Sequence, residues 1–357
     1  STTPQLRRTG TTTSSSFSIA MWAKLSRVSD QYKMFFSIGQ ENDANAAWVA
    51  VQDGQNMGFQ GGNGTYTTIS SVFRDPTSWF HFLISVNSNN FTVYIDGTSV
   101  QTGTMRSLDT STNGIRIGVN YGNFYPWNGY LADVYFIDGQ AKAPTDFAYT
   151  ESQTGMWRPK QYTGTFGASD AHLEFKDSSS VAALGKDTSG NGNDFTPTTD
   201  GFNVSSGLGN DSFVDTPTNI FPTLNPTAAF LNGSSSYASE GNLQWNSLSN
   251  NQAGCPASMA FPTTGKWYWE IKLLTNNANF SFGITPITWS QKVNPAVPTG
   301  AIGYAAYGSK IVSGTETASW AASFSNSTDP SSNFIGNLGN SYQLLWQSPS
   351  NSSCITY

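Results

Sequence analysis

Short stretches in which side chains alternate with period two recur along the first half of the chain, and no long amphipathic helical pattern interrupts them. Residues 17–24, Phe-Ser-Ile-Ala-Met-Trp-Ala-Lys, alternate large and small side chains, as a strand with one buried face must. Further runs at Met34–Ile38, Ala47–Val51 and Asn56–Gln60 are each bounded by Gly or Asn/Asp clusters. Trp79–Val86 and Phe91–Gly97 predict a strand pair joined by Asn87–Asn90, and Asp96-Gly97 is a tight-turn signal. Gly114–Gly118 and Gly129–Ile137 close the series. Strands spaced about every ten to fifteen residues predict an all-β sandwich.

Composition agrees and narrows the partners. Only 11% of the 357 residues are charged, against about 25% in an average globular protein. Aromatics reach 14%, which excludes a disordered chain. Net charge is −6 and no basic run exceeds Arg7-Arg8. A phosphate backbone needs clustered Lys and Arg, so nucleic acid is not expected as a partner. The apolar stretches are strand-length, so membrane insertion is not expected either. Ser1-Thr2-Thr3-Pro4 starts with the small residue that initiator-Met removal leaves, and no signal segment follows, so synthesis in a cytoplasm is expected. Cys255 and Cys354 are the two cysteines. A bridge between them would close a loop of about 100 residues and stabilise by up to about 4–5 kcal/mol; two buried thiols are the alternative. Sequons such as Asn63-Gly64-Thr65 and Asn326-Ser327-Thr328 carry little weight in a chain this rich in Asn, Ser and Thr.

The order Phe17–Trp22, Trp79-Phe-His81, Val93–Gly97, Ile115–Gly118 and Trp127–Phe136 resembles the laminin-G/concanavalin A-like jelly roll, over nearly all of residues 1–150. Phe136–Ala141, Pro144–Phe147, Trp157–Lys160 and Tyr162–Gly164 are similar to repeats in structural proteins of marine tailed phages. That second likeness implies a biological setting rather than a fold.

Residues 148–165, with Gly155, Pro159 and Gly164, predict a linker, followed by a strand at His172–Asp177. Gly185–Phe195 resembles the opening turn of another laminin-G-like unit, where a second sandwich could begin. Residues 196–230, rich in Pro and Thr, predict an irregular connection. Gly265–Ile271, Phe280–Ile284 and Ile302-Gly-Tyr304 look like a SPRY domain, itself a concanavalin-like sandwich. A SPRY unit continues beyond Leu344-Leu-Trp346 by two or more strands, so an abbreviated unit, or a fragment of a longer protein, is expected. The division expected is thus 1–150 sandwich, 151–230 linker carrying the strand and Gly/Asn turn, and 231–357 SPRY-like sandwich.

The fold the resemblance implies also serves glucanases. These carry a Glu-x-Asp-x-(x)-Glu run on one strand, and a retaining glycosidase needs two carboxyls about 5–5.5 Å apart. No such run occurs: Glu41-Asn-Asp43 sits in a loop-like stretch, Glu174 and Asp177 are three apart, and Glu270 stands alone among aromatics. His81 and His172 are the only histidines, no nucleophile elbow surrounds a Ser, and paired His or Cys ligands are missing. Gly61-Gly62-Asn63-Gly64 lacks the Lys and helix of a phosphate loop. An enzyme is therefore not expected.

Two segments have ligand chemistry. Asp187, Ser189 and Asn191 place oxygens at alternate positions before Gly192, like half of a calcium loop, although Thr198 stands where an EF-hand has Glu; a Gly/Asn turn explains the same residues. In the loop Asn120–Gly129, Tyr121, Phe124, Tyr125 and Trp127 alternate with Asn120, Asn123 and Asn128. Sugar rings pair apolar faces with hydroxyl rims, so Tyr121, Asn123, Phe124, Tyr125 and Asn128 are the candidate carbohydrate contacts, with core packing or subunit contact as the alternative. Trp127 falls in the fold's closing motif and is expected in the core, like Trp22, Trp79, Trp267 and Trp269.

The resemblances together imply a non-enzymatic adhesion protein, a fibre or appendage module on the surface of a tailed-phage virion. Its partners would be other virion proteins, copies of itself, and a host-surface polysaccharide. Rival readings are a capsid-decorating protein making only protein contacts, a divergent polysaccharide hydrolase, and a secreted lectin.

Overall fold

A computed structural model describes residues 3–10, 13–27, 32–39, 47–51, 56–61, 66–111, 114–198, 201–205, 210–231, 236–246, 253–261, 271–273, 281–286, 302–305, 310–312, 315–317, 342–348 and 353–356. Glu41, Asp43, Asn63, Trp267, Trp269, Glu270, Phe280 and Asn326 lie outside them. The chain is all-β and divides into two compact units, Ser1–Phe221 and Pro222–Tyr357. Each is built from antiparallel sheets, the tandem of jelly-roll sandwiches expected from the sequence.

The strands of the first unit are β1 (Leu6–Arg8), β2 (Thr13–Ser14), β3 (Phe17–Leu25), β4 (Lys33–Ile38), β5 (Ala47–Val51), β6 (Asn56–Gly61), β7 (Tyr66–Val72), β8 (Phe80–Asn87), β9 (Asn90–Ile95), β10 (Thr98–Thr104), β11 (Leu108–Asp109), β12 (Ile115–Ile117), β13 (Gly129–Asp138), β14 (Ala148–Thr150), β15 (Trp157–Pro159), β16 (Ala171–Leu173) and β17 (Thr196–Pro197). One sheet runs β17-β1-β12-β4-β5-β6-β7 and the other β10-β9-β8-β3-β13-β16. Between them lies the main core. Phe17, Ile19, Met21, Ala23 and Leu25 of β3 pack into it with Phe36, Val49, Phe59, Phe82, Ile84, Ile115 and Ile117, the inward set that period-two alternation selects.

All nine residues of β3 are buried, on both faces. The second face is closed by Phe147, from the end of the expected sandwich, and by residues expected to be a linker. Phe147 and Tyr162 pack with Ala20, Leu83, Tyr135 and Ile137 in a second apolar cluster, and β14 pairs with β15 beside them. Farther along the same face, Lys24 is fully buried with its Nζ 2.7 Å from Asp215 Oδ2, while Tyr130 packs on Phe213. The segments expected to connect two domains are therefore the cover of the first. An apolar sheet face needs a partner layer, and Phe147, Tyr162 and Phe213 supply it.

The expected second sandwich start at Gly185–Phe195 also belongs to the first unit. β16 pairs with β13 and β17 with β1, so residues 171–197 add one edge strand to each sheet. Asp170, just before β16, ties the 167–170 bend to the end of β13: its Oδ1 accepts from the Asp138 amide and its Oδ2 from the Gly167 amide, each at 2.7 Å.

The second unit comprises β18 (Phe230–Leu231), β19 (Tyr237–Ser239), β20 (Gln244–Asn246), β21 (Ala253–Phe261), β22 (Ile271–Leu273), β23 (Ser281–Pro286), β24 (Ile302–Ala305), β25 (Lys310–Val312), β26 (Thr315–Thr317), β27 (Tyr342–Ser348) and β28 (Ser353–Thr356). Its sheets run β18-β21-β27-β23-β24-β25-β26 and β19-β20-β28-β22. The last two strands are interior ones, β27 between β21 and β23, β28 between β20 and β22. Cys255 pairs across from Trp346 in one sheet, while Cys354 lies opposite Trp245 in the other. Cys255 is a free, fully buried thiol whose pKa burial pushes up, so the two-thiol alternative describes it.

Candidate functional site

The loop 120–129 is built by its own asparagines. Buried Asn120 accepts the Phe124 amide on Oδ1 at 2.7 Å, and its carbonyl accepts the Asn123 amide. Asn123 and Tyr125 take left-handed φ values of 61° and 58°, a conformation Asn tolerates and a bulky residue resists. Two backbone bonds anchor the loop to the β1–β12–β4 sheet: Trp127 N to the Gly118 carbonyl and Met34 N to the Tyr125 carbonyl.

The five expected contact residues part company. The Tyr121 ring lies over the Arg116 guanidinium at 4.6 Å. Asn123 Oδ1 accepts from Gln5 Nε2 at 2.7 Å. Phe124, 64% exposed, and Tyr125, packed on Tyr32, project from the loop beside them. Asn128 sits at the loop's far end, where its carbonyl accepts the Ser26 amide. Trp127 packs on Phe35 at the edge of the core, as expected.

Tyr121 and Asn123 form one wall of a groove of about 870 Å³, in the size range of small-ligand sites. Its lining includes Gln5, Arg7 and Arg116, and Gly192–Asp194 with Thr196–Thr198 stand on another side. Strand alternation explains the lining. In β1, Leu6 enters the core while exposed Arg7 does not, and Gln5 shares the parity of Arg7. In β12, Ile115 and Ile117 point inward, leaving Arg116 for the groove. Arg7 and Arg116 are cross-strand partners. Burial first, then the neighbouring Arg7 charge, lowers the Arg116 pKa, and Tyr121 opposes the shift. Gln5 is buried, with 8% of its surface exposed, and its Oε1 has no hydrogen-bond partner among the described residues. An orphaned buried acceptor costs about 1–3 kcal/mol. Asp194, the one acid in the lining among the described residues, is held 2.7 Å from Lys186 Nζ, and its carboxyl pKa is lowered by that hydrogen bond.

Asp187, Ser189 and Asn191 come together, but as a turn with its oxygens engaged. Asp187 Oδ1 accepts the amides of His172 and Ser189, and Oδ2 accepts Ser189 Oγ and the Asn193 amide. Asn191 Nδ2 donates to the carbonyls of Gly167 and Asp170. The turn thereby lashes the 167–170 bend to the wall of the groove, a role the spacing of residues 187–193 does not reveal.

A cluster not anticipated from sequence lies on the cover side. Asp133, His172 and Glu174 bring their donor atoms within 4.8 Å of one another. His172 Nε2 is 3.4 Å from Asp133 Oδ1, its ring stacks on Tyr135 at 3.9 Å, and Glu174 is paired with Lys176. A break in the β13–β3 register between Ala132 and Tyr135 places Asp133 there, with φ 48°, and no sequence signal marks such a bulge. His81 is buried. It lies among Trp22, Phe147 and Trp157, and burial lowers its pKa to about 3.

No curated protein matches this sequence. Among solved structures, the chain is similar to a protein of Bacteroides ovatus described as a candidate carbohydrate binder (12% identity, 55% of this chain and 56% of that one, TM-score 0.37). It is also similar to a heptameric SAP-like pentraxin of Limulus polyphemus (17%, 40% and 72%, TM-score 0.30), and to the SPRY domain of human HERC1 (15%, 37% and 96%, TM-score 0.29). The chain thus spans little more than half the length of the first of these. Residues 2–144, which hold β1 to β13, match the family described as the concanavalin A-like lectin/glucanases superfamily.

Proposed function

We propose that this protein is a non-enzymatic adhesion module that binds glycans in the groove between the Tyr121 loop and the Gly192–Thr198 turn. The observation that carries the reading is the buried Gln5 Oε1 in the groove lining, which has no donor among the described residues. A sugar hydroxyl is such a donor, and the Tyr121 ring offers a flat surface for the sugar's C–H face. The family match over residues 2–144 supports a lectin-like site. Hydrolysis is not part of the proposal. A glycosidase of either stereochemistry needs two carboxyls, and among the described residues the single acid lining the groove is engaged by Lys186.

The setting we propose is the surface of a tailed-phage virion, in a fibre or appendage made in the host cytoplasm and contacting other virion proteins, copies of itself and host polysaccharide. Support comes from the phage-like segments at 136–147 and 157–164, which here form β13's end and the cover over the β3 sheet. A capsid-decorating role is the second reading, favoured by the exposed Phe124 and Tyr149. A glycan array with the full chain, followed by immunogold labelling of particles, tests both. We expect array binding that Tyr121→Ala reduces roughly tenfold or more with Tm unchanged, and label on tails. Label on the capsid shell with a blank array would sink the adhesin reading and favour the second.

A further inference from the structure

Resting on that glycan reading, we infer that the groove selects acidic sugars, carrying carboxylate or sulfate, over neutral ones. The chain as a whole has net charge −6 and 17 basic residues among 357, yet Arg7, Arg8 and Arg116 all line this one groove. Arg7 and Arg116 face each other in register on adjacent strands. An anion bound between them would be attracted by both guanidiniums.

The neighbouring groups fit the same ligand. Asp194 would repel an anion, but Lys186 holds it at 2.7 Å. Tyr121 stacks on Arg116 at 4.6 Å, which fixes the guanidinium plane beside an apolar ring face. A planar fork so held suits a carboxylate or sulfate bidentately. Gln5 Oε1, the buried acceptor without a partner among the described residues, takes a hydroxyl but would oppose an anionic oxygen. The ligand therefore needs an acid group at the arginines and a hydroxyl at Gln5, which together describe a uronic or sulfated sugar rather than a free inorganic anion.

Calorimetric titration of the full chain against matched polysaccharides tests the inference: dextran against dextran sulfate, and fully methyl-esterified pectin against polygalacturonate, with duplex DNA as a polyanion control. The expected result is binding to the charged member of at least one pair, roughly tenfold or more tighter than to its neutral counterpart, and weakening as salt rises. Which pair responds separates carboxylate from sulfate recognition. Arg116→Gln and Arg7→Gln should abolish the preference; Arg7 is exposed, so its variant decides the matter if Arg116→Gln lowers Tm. Equal binding of the neutral and charged members overturns the inference while leaving the glycan reading intact. Binding of duplex DNA as tightly as the acidic polysaccharides also overturns it, since general polyanion attraction would then suffice. No binding to any of the four polysaccharides counts against both.

Discussion

The two outer faces of the first sandwich are treated differently by the chain. Behind β3, β8 and β13, the side chains of Ala20, Lys24, His81, Leu83, Tyr135 and Ile137 are all buried under residues drawn from 144–166 and 213–215. Outside β1 and β12, the corresponding positions are Gln5, Arg7 and Arg116, and they border a groove. The first face is closed with apolar and aromatic contacts plus one ion pair. The second keeps an unsatisfied amide oxygen and paired guanidiniums. A buried acceptor without a donor among the described residues is a standing cost in the free protein, which supports the proposal of a ligand on the second face.

The largest effect should therefore come from breaking the closed face. Asp215→Ala removes from fully buried Lys24 the carboxylate 2.7 Å from its Nζ, and loss of one partner of a buried pair costs about 3–5 kcal/mol. Urea titration should show that loss, while the fraction still folded binds glycan as before. Lys24→Met combined with Asp215→Leu should recover much of the stability, because an apolar pair needs no desolvation compensation. A loss below about 1 kcal/mol for Asp215→Ala would mean the pair behaves like a solvated one and that the cover is not a true second layer.

The same contrast explains what was legible in the sequence. β4, β5, β6, β8, β9, β12 and β13 lie within a residue or two of the expected runs, because each has a face in the main core. β10, Thr-Ser-Val-Gln-Thr-Gly-Thr, was not legible: it is an edge strand whose residues are all exposed or half-buried, so no apolar alternation marks it. β17 is too short to carry a period, and β16 is legible as the strand expected at His172–Asp177 but not as an edge of the first sandwich, so the expected first domain ends at about residue 150 rather than at Phe221. The Asp96-Gly97 turn was readable because φ values of 48° and 77° suit few other residue pairs. On the groove, Tyr121 and Asn123 were found by composition, whereas Gln5, Arg7 and Arg116 come from strands distant in sequence that only the sheet brings together.

A second way to probe the closed face is acid. His81, with its pKa lowered to about 3 by burial among aromatic rings, is neutral when folded, while the unfolded chain takes up a proton near pH 6.5. Between those values the unfolded state binds one more proton, so stability is full above about pH 6.5 and falls by about 1.4 kcal/mol per pH unit below it. His81→Leu should remove that slope between pH 6.5 and 5, where most carboxylates are still ionised. Identical pH profiles for the two proteins would show that His81 is hydrated in solution, and that the cover opens readily.

The smallest effect concerns the turn beside the groove. Calcium takes six to eight oxygen ligands, and a cation at Asp187 would have to displace donors already in place. Burial alone would raise the Asp187 carboxyl, yet the His172, Ser189 and Asn193 hydrogen bonds hold it below its ordinary value. Those four bonds meet the carboxylate's lone pairs, and Asn191 presents its amide nitrogen, not its oxygen, to Gly167 and Asp170. Millimolar calcium should accordingly leave Tm unchanged in a calorimetric scan. A rise that Asp187→Asn abolishes would instead show that the turn rearranges to bind the ion, and would make the groove wall adjustable rather than fixed before a glycan arrives.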